Sequence, residues 1–169
     1  MDPPAPFHDL NEALAAMRVR LASGRFALLG FPEPPEPADL ALLARSGPAQ
    51  AIREGGETTL LIAEADAPEA LGRHPDARIE RGLAWIRFEG AMAWDLVGFL
   101  AHVTGRLAAA GVPLGAVCGY SRDHLFVAEP YLARAAAVLR ELFGGVDGFE
   151  EIAGEADEDR PGTGSRVDS

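Results

Sequence analysis

Residues 84–128 read AWIRFEGAMAWDLVGFLAHVTGRLAAAGVPLGAVCGYSRDHLFVA. Over 79–89, Trp85 and Arg87 alternate with Ile86 and Phe88, the two-residue period of a half-buried strand. Residues 94–110 place Leu96, Leu100, Val103 and Leu107 on one stripe. That predicts the clearest helix of the chain, stopped by Gly111. Two short strands follow, 114–119 and 124–128, around the tight turn Tyr120-Ser121-Arg122-Asp123. Downstream, Pro130 suits a first helical position and opens a helix over 130–143. Its apolar face carries Leu132, Ala136, Leu139 and Phe143. Gly144-Gly145 ends it, and 146–152 reads as a last edge strand.

The same order is expected upstream. Residues 9–22 predict a helix, with Asp9 as N-cap and Leu10, Leu14, Met17 and Leu21 at helical spacing. Ser23-Gly24 is read as its stop, and RFALLGF at 25–31 as a short buried strand. PEPPEP at 32–37 is a stiff connection that cannot join a ladder. A short helix over 38–45 precedes a hairpin, 49–54 and 58–64, turning at Gly55-Gly56. Residues 67–73 supply one or two helical turns.

Two overlapping runs of β-α-β-β emerge, the split βαβ plan of an α+β fold. It predicts antiparallel sheets with helices on one face. The expected division is a flexible arm at 1–7, an N-terminal unit at 8–77, a C-terminal unit at 78–153 and a disordered acidic tail at 154–169. Neither unit alone encloses much core, so side-by-side sheets or a homodimer are expected.

Composition narrows the chemistry. All 15 basic residues are arginine, and with 26 acids the net charge is −11. Without lysine there is no Schiff-base amine and no P-loop lysine. The acidic balance argues against a nucleic-acid partner. From Asp147 onward there are eight acids and two arginines, so over half of the charge sits near the C-terminus. The lone cysteine, Cys118, cannot form an internal disulfide, and a buried inert thiol is expected. His102 is expected in the core or at an interface. No apolar run approaches the roughly 20 residues of a membrane span, and the first residues lack a signal-peptide pattern. A soluble cytoplasmic protein is expected. The histidines lack metal-ligand spacing, no nucleophile motif is present, and no cofactor or metal is expected. Glu89 and Asp123 would form an acid–base pair only if the fold brought them together.

Two segments read as a site. In Glu89-Gly90-Ala91-Met92, Gly90 permits close backbone approach, and the expected helix start offers N–H groups to a carboxylate. In Gly119-Tyr120-Ser121-Arg122-Asp123-His124, Asp123 suits an α-ammonium or a guanidinium, and Tyr120 would wall an apolar stem. The plainer readings are a strand-to-helix loop and a surface pair between Arg122 and Asp123.

Residues 84–128 resemble ACT-domain proteins of the cytosolic arginine-sensor (CASTOR) type and small bacterial tandem ACT proteins. The resemblance is carried by the strand ending Glu89-Gly90, the helix ending Leu107-Ala108-Ala109-Ala110-Gly111-Val112, and the hairpin Gly119-Tyr120 to Asp123-His124-Leu125-Phe126-Val127. It extends more loosely over 9–145, through Asp9-Leu10, Arg25-Phe26-Ala27-Leu28 and Ala51-Ile52-Arg53-Glu54-Gly55-Gly56. It implies tandem ferredoxin-like βαββαβ units and a non-catalytic regulatory protein that binds an amino acid at a domain or subunit interface. The implied ligand residues are Glu89, Gly90, Ala91, Met92, Gly119, Tyr120, Ser121 and Asp123. Two departures stand out: Gly90 is single where the arginine sensors carry a glycine pair, and Gly119 replaces a hydroxyl residue. The competing expectation is a ligand-free interaction module that docks through a sheet edge or helix face.

Overall fold

The computed structural model describes residues 5–45, 47–144 and 149–152. The elements are α1 (Leu10–Ala16), β1 (Val19–Phe31), α2 (Pro37–Leu42), β2 (Gln50–Glu54), β3 (Glu57–Ala63), α3 (Ala67–Arg73), β4 (Arg78–Phe88), α4 (Phe99–Ala109), β5 (Gly115–Cys118), β6 (Asp123–Ala128), α5 (Leu132–Phe143) and β7 (Phe149–Ile152). This is the expected α+β plan. The acidic tail and residues 146–148 of the expected edge strand lie outside the described residues.

The chain forms two compact units, one from residues up to Arg25 with 82–154, the other centred on Phe26–Arg81. Compactness thus divides the chain inside the 13-residue β1, rather than into consecutive stretches meeting at 77/78.

The start of the chain corrects the expected helix over 9–22. Asp9 does cap α1, its side chain accepting from the Asn11 and Glu12 N–H groups. However, Met17 turns extended (φ −65°, ψ 128°), and a strand begins at Val19. Met17, Val19 and Leu21 are buried with the less buried Arg18 and Arg20 between them, and this two-residue period wins over the helical one. Ser23-Gly24 lies within the strand and does not stop a helix.

In the first unit β4 neighbours β1 and β6, β6 pairs antiparallel with β5, and β7 runs parallel to β1. Alternation sends Val19 and Leu21, Ala84, Ile86 and Phe88, and Leu125 and Val127 to one face. There they meet Ala13 of α1, Phe99, Val103 and Leu107 of α4, and Leu139 and Phe143 of α5. Phe88 meets Phe99 edge-on at 5.1 Å between ring centres, an arrangement that aromatic quadrupoles favour. His102 is exposed on α4, not in the core.

In the second unit β3 lies between β1 and β2, antiparallel to both. Gly55 and Gly56 both have positive φ (51° and 86°), as a two-residue primed turn requires. Ala27, Leu29, Phe31, Leu60 and Ile62 pack against Leu42, Ala67 and Ala70 of the helices. Buried among them is a charged cluster. Asp39, fully buried, accepts from Arg73 Nε at 2.9 Å, His74 Nε2 at 2.8 Å and the Glu36 N–H at 2.8 Å. Phe31 stacks on the His74 ring at 3.7 Å.

Candidate functional site

The first unit carries an open cleft of about 220 Å³ between the start of α4 and the β5–β6 turn. Of the residues singled out in the sequence, Met92, Gly119, Tyr120, Ser121 and Asp123 line it. The two segments meet directly: the Met92 N–H donates to the Ser121 carbonyl at 2.8 Å.

Glu89, Gly90 and Ala91 stand behind this wall, and none of them lines the cleft. The Glu89 carboxylate pairs with Arg20 Nε at 3.1 Å, and its N–H donates to the Arg18 carbonyl. Gly90 faces Phe7 and Met17, and a Cβ there would lie 2.4 Å from the Phe7 ring. Its smallness serves internal packing. The Ala91 carbonyl accepts from the Phe7 N–H, and the Phe7 carbonyl accepts from the Ala93 N–H, both at 2.9 Å. Phe7 is thus tied to the loop, which corrects its expected place in a flexible arm.

The helix start also moves. Residues 94–98 are not the first helical turn: Gly98 adopts φ +94° and α4 begins at Phe99. The Met92 and Ala93 N–H groups are already occupied. Phe99, Leu100 and Ala101 line the cleft, and their N–H groups, the first of the helix, lack intrahelical partners. No side chain caps them, because the N-cap is Gly98. A glycine immediately before a regular apolar stripe was the signal available for this boundary.

The turn is built by close approach. The Gly119 N–H donates to the Arg122 carbonyl at 2.9 Å, and a Cβ on Gly119 would sit 2.7 Å from that oxygen. Strand alternation then places Asp123 on the same face as Leu125 and Val127, towards α4. His124 points the opposite way and accepts from Trp85 Nε1 at 3.2 Å. Burial pushes its imidazole below the usual range, so the neutral ring keeps its proton on Nε2. Trp94 and Tyr120, 90% and 96% exposed, flank the opening.

Cys118 is exposed and lines the cleft, contrary to the buried thiol expected from its small apolar neighbours. It ends the edge strand β5, opposite Asp123 in register. Its hydrogen bond to the Asp123 carboxylate, with some burial and the carboxylate charge, pushes the thiol up. Only the thiolate attacks disulfides. Asp123→Asn is therefore expected to speed the reaction of Cys118 with an aromatic disulfide reagent at pH 8. An unchanged rate would break the link between the two side chains.

Glu89 and Asp123 are not brought together around the cleft, and no group of three His, Cys, Asp or Glu suited to a metal occurs among the described residues. No helix among them is long and apolar enough to cross a membrane.

The arrangement is a small cleft on an α+β fold, between a helix start and a hairpin turn. Residues 78–141, which hold this whole arrangement except Phe7 and the first strand, match the family model of the ACT domain. No curated protein sequence matches the chain. Three solved structures are similar in fold. Protein Atu0741 of Agrobacterium tumefaciens is 20% identical, over 82% of this chain and 93% of that one, with a TM-score of 0.61. The regulatory subunit of aspartate kinase from Thermus thermophilus is 17% identical, over 74% and 96%, with a TM-score of 0.57. VC0802 of Vibrio cholerae, described as a possible transport protein of unknown function, is 23% identical, over 79% and 94%, with a TM-score of 0.54.

Proposed function

We propose that this chain is a non-catalytic ACT-type regulatory protein that binds an amino acid or similar small zwitterion. The observation that carries the reading is the cleft itself. Within ACT-domain sequence it joins Met92 to the Gly119–Asp123 turn, with one carboxylate on one wall and an uncapped helix start on the other. Asp123 would receive the ammonium, and the first turn of α4 the carboxylate. Glu89, Gly90 and Ala91 would hold Met92 in place from behind. The similarity to an aspartate kinase regulatory subunit supports regulation as the role, by likeness of fold. The arginine-sensor resemblance of 84–128, a cytoplasmic setting and a homodimer closing the cleft belong to the same proposal. A ligand at such an interface would favour the assembly state that binds it better.

A second reading, a ligand-free module that docks through a sheet edge, draws on β5. It is an edge strand among those described, with Gly115, Ala116 and Cys118 exposed.

Thermal-shift measurement against the twenty amino acids separates the two readings. At least one amino acid at millimolar concentration is expected to raise Tm, with the rise largely lost in Asp123→Ala. No shift from any amino acid removes the sensor reading. A shift kept in full by Asp123→Ala removes this site.

A further inference from the structure

The lining of the cleft restricts the ligand further. Among the described residues that line it, Arg122 and Asp123 are the only charged ones. A zwitterion already requires one acidic partner for its ammonium, and Asp123 is the one carboxylate there. A cationic side chain such as a guanidinium would need a second carboxylate. Glu89, the other acid in the segments singled out, is paired with Arg20 behind the wall. An anionic side chain would need a second cationic partner beyond the helix start, leaving only Arg122 at the tip of the turn. In this open cleft a guanidinium would sit beside Arg122 with no second carboxylate, and an anionic side chain would meet Arg122 alone, exposed at the tip of the turn where an ion pair contributes little. Besides Ser121 and Cys118, the remaining side chains of the lining are apolar or aromatic, with Met92, Leu96 and Leu100 alongside Trp94 and Tyr120.

Those two residues carry a second, independent indication. Large aromatic side chains left almost wholly in water beside a cavity mark a surface that binds apolar groups. Trp94, Val97 and Tyr120 are half of the exposed large hydrophobics among the described residues, and all three belong to this neighbourhood.

We infer that the cleft selects amino acids with uncharged, apolar or aromatic side chains over arginine and glutamate. This inference rests on the amino-acid reading above. The α-ammonium takes Asp123, the α-carboxylate takes the first turn of α4, and the side chain lies against Trp94 and Tyr120.

Cys118 makes the test local, because it is the only cysteine of the chain and lines the cleft. The full chain is incubated with phenylalanine, leucine, arginine or glutamate, and both Tm and the rate of Cys118 alkylation are read. At ten times Kd, phenylalanine or leucine is expected to raise Tm by about 3 °C and slow alkylation about tenfold. Arginine and glutamate are expected to change neither. Trp94→Ala is expected to weaken the effect of phenylalanine and leave the basal fold intact. Protection by arginine or glutamate equal to that by phenylalanine overturns the selectivity and leaves the amino-acid reading standing. A rise in Tm without protection of Cys118 places the ligand elsewhere and overturns the inference. No effect from any of the four overturns the inference, and silence across all twenty overturns the underlying reading as well.

Discussion

Asp39→Ala is expected to lower the unfolding free energy by about 3–5 kcal/mol, as removal of one partner from a buried charge pair does. The Asp39 carboxylate is fully buried and accepts from Arg73, His74 and the Glu36 backbone. Its loss leaves the His74 ring, itself only 5% exposed and stacked on Phe31, without the acceptor at Nε2. It also frees the last turn of α3 from the first turn of α2, since Arg73 and His74 end one helix and Asp39 begins the other. Urea unfolding of wild type, Asp39→Ala and Asp39→Asn measures the effect. The asparagine keeps an acceptor and should recover part of the loss. A cost below about 1 kcal/mol for alanine, the range of exposed ion pairs, would mean that the cluster is solvated.

The same group sets an acid limit. Burial alone would push the Asp39 carboxyl up, but hydrogen bonds from His74, the Glu36 backbone and Arg73 outweigh it and hold the group below its ordinary 3.8. A carboxyl depressed in the folded state contributes stability that is present above its unfolded value. That stability is lost as pH falls through the folded value. The wild-type curve should therefore fall away below about pH 4, and more steeply than that of Asp39→Asn.

This cluster was invisible in the sequence, because Asp39 and His74 lie 35 residues apart and neither sits in a recognisable motif. Local signals agree with the structure where one period is consistent. The Gly55-Gly56 turn and the apolar stripe of α5 are such cases. They failed where two periods overlapped: Leu21 is four residues after Met17 and also two after Val19, so both a helix and a strand claim it. The strand won because the sheet face needed Val19 and Leu21 in its core. The helix start at Phe99 was missed for a related reason, since Leu96 extends the apolar stripe upstream of the break at Gly98. For the proposed site, residue chemistry pointed to the turn from Gly119 to Asp123. The α4 donors and Cys118 entered only through packing between elements.

Gly90→Ala carries the second large effect, and it separates two meanings of that glycine. Its φ is not in the left-handed region, so size and not backbone freedom is at stake. An added methyl would sit 2.4 Å from the Phe7 ring and 3.0 Å from the Met17 sulfur. Overpacking of this kind costs about 1–3 kcal/mol. Phe7 can yield by swinging outward, and doing so would break its hydrogen bonds with Ala91 and Ala93. Limited proteolysis should then cut near the N-terminal segment faster than in wild type. A double-mutant cycle tests the cause: in a Phe7→Ala background the ring is gone, and Gly90→Ala should cost less than it does in wild type. The Met17 contact remains in that background, so the residual cost reports how much the sulfur contributes. If Gly90→Ala instead left stability unchanged and abolished protection of Cys118 by phenylalanine, the glycine would be serving the ligand directly. Close packing against Phe7 predicts the reverse order of effects, with stability lost first and binding weakened only through displacement of Met92.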